Sequence, residues 1–182
     1  MVAVKIRPFE DSDGAAVTSL IVGIQRGEFA IAITPADQPD LASIPDFYQT
    51  GAGNFWVAVV DDEVVGTLGL RDMGDGDVAL RKMFVASKYR GEPHRVARRL
   101  LNAALAWAEE KKSRNIFLGT TSRFLAAHRF YEKNGFELVT RETLPPTFPL
   151  MAVDTRFYRR ALAPAVSTRE MKPAFQNLTA EE

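Results

Sequence analysis

Leu80-Arg-Lys-Met-Phe-Val85, followed by Ala86-Ser-Lys-Tyr-Arg-Gly-Glu-Pro-His-Arg-Val-Ala97, is the stretch that decides how this chain is read. Val78 to Val85 is a β-rich run. From Val96 onward, Val96, Leu100, Leu101, Ala104 and Ala108 fall on one apolar stripe at helical spacing, while Arg98, Arg99 and Glu109 lie off it. The segment between is therefore a loop that feeds a helix. The first backbone N–H groups of a helix have no helical partners, and the helix dipole adds partial positive charge there. An anion placed against them gains hydrogen bonds and attraction together. Arg90, His94 and Arg95 flank that place.

Working outward, Phe55 to Val60 and Val64 to Leu70 are two β-rich runs joined by Asp61-Asp62-Glu63, a hairpin with an acidic turn. Asp72 to Asp77, with Gly74 and Gly76, makes the next turn, so Val78 to Val85 completes a meander. At the N-terminus Val2, Val4 and Ile6 alternate with polar or small residues until Pro8, the pattern of a strand with one buried face. Asp11 and Ser12 are N-cap candidates for a helix carrying Val17, Leu20, Ile21 and Ile24. Pro35, Pro39 and Pro45 break the following stretch, which predicts an irregular helical segment around Asp37 to Tyr48. Downstream, Asn115 to Thr120 reads as a strand and Phe124 to Lys133 as a helix ended by Asn134-Gly135. Phe136 to Thr140 and Met151 to Tyr158 read as the last two strands. The order β-α-α-β-β-β-α-β-α-β-β predicts a mixed α/β fold in one domain over residues 1–162, with 163–182 as a flexible tail.

Composition narrows the function. A chain of 182 residues that is 46% hydrophobic buries a core without crosslinks, and the absence of cysteine excludes disulfides, thiolate metal sites and a cysteine nucleophile. The N-terminus lacks the apolar stretch of a signal peptide and no run is long enough to span a bilayer, so a cytoplasmic protein without membrane partners is expected. Net charge is zero, from 23 basic and 23 acidic residues, yet the distribution is uneven. Met1 to Ala79 holds thirteen Asp and Glu against four Lys and Arg, whereas Leu80 to Arg114 holds ten Lys and Arg against three Glu. Such a local basic zone suits a compact phosphorylated ligand better than nucleic acid, which needs a broad basic surface. His94 and His128 have no carboxylate at ligand spacing, so no metal is expected. Neither a Gly-x-Ser-x-Gly elbow nor a Gly-x-x-x-x-Gly-Lys phosphate loop is present.

Leu80 to Val85, the Arg90-Gly91 pair, Val96-Ala97 and Leu100-Leu101 together resemble the cofactor motif of GNAT N-acetyltransferases. Phe117-Leu-Gly-Thr-Thr121 followed by Ala126-Ala-His-Arg-Phe-Tyr-Glu-Lys-Asn-Gly-Phe136 is similar to that superfamily's next motif. The resemblance implies a central twisted mixed β-sheet of about seven strands flanked by helices, with strand four splaying from strand five. It implies acetyl-CoA as cosubstrate and transfer of its acetyl group to a primary amine of a small molecule or protein by direct attack. By resemblance, Met83, Phe84, Val85, Arg90, Gly91, His94, Arg95, Val96 and Ala97 bind the cofactor, and Tyr131 protonates the departing thiolate. The family pattern places a glycine where this chain has Arg95, and Pro93 removes a donor, so either the Arg95 guanidinium replaces backbone contacts to phosphate, the preferred reading, or cofactor binding is weakened. No residue matches a general-base motif; Glu28 and Asp72 are candidates by position only. The resemblance places the acceptor near Gln25 to Gly53 and Leu144 to Ala152, where Glu28, Asp37, Asp40 and Asp46 favour a cationic amine. The rival reading is a non-catalytic acyl-CoA-binding regulatory domain. A homodimer is compatible with either.

Overall fold

The alternation at the N-terminus becomes β1, Lys5–Pro8, the first strand of the sheet, in a computed structural model that describes residues 3–162. Val2 and the tail over 163–182 lie outside the described residues. Helix α1, Gly14–Gly27, starts later than the expected Asp11 or Ser12 cap. A short 3-10 turn, Asp11–Asp13, precedes it, because Asp13 accepts the Glu10 N–H at 2.9 Å and grips Arg7 of β1 at 2.7 and 2.8 Å. The three prolines divide the next stretch as expected, into a 3-10 turn at Pro35–Asp37 and the short helices α2, Pro39–Ala42, and α3, Ile44–Tyr48. Each piece has proline in its first turn, where the missing N–H costs nothing.

β2, Asn54–Val60, β3, Glu63–Gly74, and β4, Asp77–Val85, form the meander. Helix α4, Val96–Glu110, crosses to β5, Asn115–Thr120, which lies parallel to β4. Helix α5, Leu125–Lys133, leads to β6, Glu137–Val139, and β7, Arg156–Ala161. The seven strands form one mixed sheet in the order β1-β2-β3-β4-β5-β7-β6, with β4 and β5 its parallel pair. β7 begins beyond the expected Met151. Residues 151–155 turn back through the Asp154 N–H to Met151 carbonyl bond (3.0 Å), and pairing with β5 starts only at Arg156 opposite Thr120.

Each sheet face carries its own core. Leu100, Leu101 and Ala104 of α4 pack with Leu68, Leu80 and Ile116 on one face, while Val17 and Ile21 of α1 pack with Ile44, Tyr48 and Phe55 on the other. Gly66 permits the first arrangement, since a Cβ there would stand 2.9 Å from Val96 Cγ1 and push α4 off the sheet.

Candidate active site

The site begins where the parallel pair fails. β4 and β5 are in register over Asp77–Ala79 and Asn115–Phe117 only; beyond Ala79 the strands part. β4 is also bulged on its other edge. Thr67 of β3 faces Phe84 and Gly69 faces Arg81, so Leu68 alone is opposed by both Lys82 and Met83. Lys82 takes the extra length at φ +53°, and the Thr67 hydroxyl donates to its carbonyl at 2.7 Å.

Two cavities open along this gap. One, about 500 Å³, is bounded by Val85, Arg90, Gly91 and Ala97 on one side and by Arg123 to Ala127 on the other. The second, about 270 Å³, lies between the bulge, the end of β5 and the segment Phe148 to Asp154. Met83, Phe84, Phe124, Ala127 and Tyr131 line both. Tyr131 is thus the polar side chain at the junction. Its hydroxyl lies 3.9 Å from the Met83 sulfur, and burial raises its pKa well above the usual tyrosine range, so it stays a protonated donor.

Of the residues assigned to the cofactor by resemblance, Met83, Phe84, Val85, Arg90, Gly91 and Ala97 line the larger cavity, and His94, Arg95 and Val96 do not. Val96 is buried in the core. His94 stands edge-on to Tyr89, with ring centroids 5.2 Å apart. Arg95 is the residue before α4, at φ +50°, a left-handed conformation that glycine adopts most easily; its guanidinium meets Glu92 at 2.5 Å. Arg90 is held as a fork by Glu28 at 2.6 and 2.9 Å and donates to the Val85 carbonyl at 2.7 Å. Arg90 and Arg95 are therefore already paired, while Lys88 lies over the Tyr89 ring at 5.2 Å without an ion pair among the described residues. Backbone is open to an anion as well: the amides of Val96, Ala97 and Arg98 precede the first intrahelical bond, from Arg99 N–H to the Arg95 carbonyl at 3.0 Å.

The smaller cavity holds the groups that the sequence did not reveal. Lys82 is buried and donates to Gln38 Oε1 at 2.5 Å, with Asp40 at 3.4 Å. Tyr48 donates to the same Asp40 at 2.5 Å, and Gln38 donates to Gln25 at 2.8 Å. Burial lowers the Lys82 pKa, and the Asp40 charge works against that shift. Arg81 is half-buried, points one Nη at the Met151 sulfur at 3.1 Å, and forms no ion pair among the described residues. Asp154 lies on β5 because residue 119 is glycine; a Cβ there would stand 2.5 Å from its Oδ2. Its carboxylate accepts the Met151 N–H at 3.1 Å, and burial raises its pKa.

The carboxylates expected to favour a cationic amine are engaged elsewhere. Glu28 holds Arg90, Asp37 caps through Thr34, Asp40 serves Tyr48 and Lys82, and Asp46 takes the Ser43 hydroxyl. Asp72 accepts the N–H groups of Ala52 and Gly74 and supports a turn. His128 donates to the Thr121 carbonyl at 2.9 Å, and no metal-binding cluster occurs among the described residues.

The model of the acetyltransferase (GNAT) family matches residues 24–136, more than half of the chain. The chain belongs to the GNAT acetyltransferase family. This GNAT domain superposes on the GNAT-family acetyltransferase of Staphylococcus aureus Mu50 with a TM-score of 0.84 and 36% identity, over 88% of this chain and 100% of that one. With an acetyltransferase of Streptococcus agalactiae the TM-score is 0.83 at 32% identity, over 87% of this chain and 98% of that one. It is also 39% identical over 102 residues to N-acetylaspartate synthetase of Xenopus tropicalis, across 55% of this chain. The match spans only 37% of that relative's length.

Proposed function

We propose that this GNAT domain transfers the acetyl group of acetyl-CoA to a primary amine of a small molecule or protein. The observation that carries the reading is the sharing of Met83, Phe84, Phe124, Ala127 and Tyr131 by the two cavities, which brings two ligands to one point. In this reading acetyl-CoA occupies the larger cavity. Its pyrophosphate meets the amides at the start of α4, and its thioester reaches the junction. The amine arrives through the smaller cavity.

The amine nitrogen attacks the thioester carbonyl carbon; the C–N bond forms and the C–S bond breaks. The sulfur leaves as a thiolate and takes the Tyr131 proton, which burial keeps on that hydroxyl until the transition state. Asp154, the carboxylate that lines the acceptor cavity, removes the proton from the amine. A general base has its greatest effect when its pKa lies near the working pH, and burial moves Asp154 in that direction. The rival reading, a non-catalytic acyl-CoA binder, drew on the altered loop at Arg95 and on the want of a base; Asp154 supplies a candidate for the second. Cytoplasmic location belongs to the same proposal and rests on the cysteine-free composition, which suits a reducing compartment.

Thermal unfolding with and without acetyl-CoA, followed by thiol release against a panel of amines, tests the proposal. A rise in Tm together with turnover on at least one amine is expected. Stabilisation with no turnover on any amine would restore the non-catalytic reading.

A further inference from the structure

Building on the reading of the 270 Å³ cavity as the acceptor site, we propose that the acceptor amine carries a carboxylate and that Arg81 binds it. Three charged side chains line the cavity: Arg81, Lys82 and Asp154. The charge on Lys82 is answered within the protein by Asp40 and Gln38. Asp154 has one backbone donor and an oxygen to spare for an ammonium. Arg81 is answered only through space: its charge reaches the Asp154 carboxyl and works against the upward shift there. Its side-chain hydrogen bond goes to the Met151 sulfur, a weak acceptor, and it forms no ion pair among the described residues.

A guanidinium cannot escape this position by losing its proton, so a half-buried Arg81 without a contact ion pair raises the affinity of the cavity for an anion. Its planar fork matches a carboxylate in two parallel hydrogen bonds. Opposite charges on Arg81 and Asp154 complement a molecule with a carboxylate and an amine close together. A polyamine would meet the repulsion of both Arg81 and Lys82, and a phosphate dianion would meet more repulsion from Asp154 than a monoanion does. The acceptor class is thus an amino acid or a similarly small amino carboxylate, not the cationic amine that the count of acidic residues suggested. Arg81 selects it, while Tyr131 and Asp154 handle the protons.

The experiment reads binding as well as turnover. N-acetyl-L-alanine, N-acetyl-L-aspartate and N-acetyl-L-glutamate are titrated by calorimetry into the CoA-loaded protein, each against its full carboxamide counterpart. At least one acid should bind roughly tenfold to a hundredfold tighter than its amide, the scale of a charge-assisted hydrogen bond. In Arg81→Gln that preference should vanish, with the acetyl-CoA thermal shift kept. In Arg81→Lys, which keeps the charge but loses the fork, it should shrink without disappearing. Equal binding of acids and amides, binding of neither, or a preference that survives Arg81→Gln overturns the proposal. If Arg81→Gln fails to fold, the wild-type comparison of acid with amide decides. A carboxylate preference without thiol release from any amine would instead remove the acetyltransferase reading and leave the carboxylate site standing.

Discussion

The loop into α4 and the bulge on β4 are both basic, and they use their charge in opposite ways. In the loop, Arg90 and Arg95 are exposed at their tips and closed on Glu28 and Glu92. In the bulge, Lys82 is buried with Asp40, and its neighbour Arg81 is left open to a cavity. Counting charges along the sequence pointed to the loop as the anion site, because it could not distinguish a paired guanidinium from an open one. In the loop the anion-binding capacity resides in the backbone at the first amides of α4 as well as in Lys88, and in the bulge it resides in the Arg81 side chain.

The sharpest way to break this comparison is to strip the bulge of its counter-ion. Asp40→Ala leaves Lys82 buried without a negative partner and Tyr48 without an acceptor, so it should destabilise the fold by about 3 kcal/mol or more in denaturant unfolding. A loss under about 1 kcal/mol would mean that water reaches the Lys82 ammonium and that the bulge differs little from the loop.

An intermediate case is the Arg7–Asp13 pair, whose side chains are 23% and 8% exposed. The hydrogen bond from the Arg7 guanidinium holds the Asp13 carboxyl below its ordinary pKa in the folded protein. The unfolded chain therefore takes up the proton first as pH falls. The stability from this pair is complete above the unfolded value of about 3.9 and drains away as pH drops from there through the lower folded value. Asp13→Asn should cost about 1–2 kcal/mol at neutral pH and flatten that part of the acid-unfolding curve. A variant with unchanged acid sensitivity would remove the pair from the account.

The loop should respond least. Arg90→Ala and Arg95→Ala should each weaken acetyl-CoA binding by no more than about threefold, since exposed, already paired guanidinium groups contribute little. A tenfold loss at either would show that the arginine leaves its carboxylate for the phosphates. Arg95→Gly should raise stability by about 0.5 kcal/mol, because relief of the left-handed backbone slightly exceeds the added chain entropy.

The sequence made the succession of the seven strands along the chain legible, because each is a local matter of periodicity and of turn residues such as Asn134-Gly135, but not the insertion of β7 between β5 and β6 in the sheet. Tyr131 was legible through the motif around it. Lys82 was not, since its positive φ follows from the register of β4 against Thr67 and Gly69, residues more than ten positions away. Arg81 and Asp154 became interesting only when the loop before β7 folded over Gly119, and nothing near Asp154 in the sequence marks that approach. The same loop displaced the start of β7 from Met151 to Arg156. Pairings of this kind set which charges are open and which are closed, and they depend on distant partners.

The central claim is that the two cavities meet at a proton donor, Tyr131. Its most direct test is turnover of Tyr131→Phe, measured with acetyl-CoA affinity and Tm on the same variant and under conditions where chemistry limits the rate. Phenylalanine keeps the ring packed against Phe136 and Tyr158, so affinity and Tm should hold within about twofold and a degree or two, while turnover falls roughly a hundredfold or more. Unchanged turnover would contradict the claim, reducing Tyr131 to a packing residue and leaving water to protonate the departing sulfur.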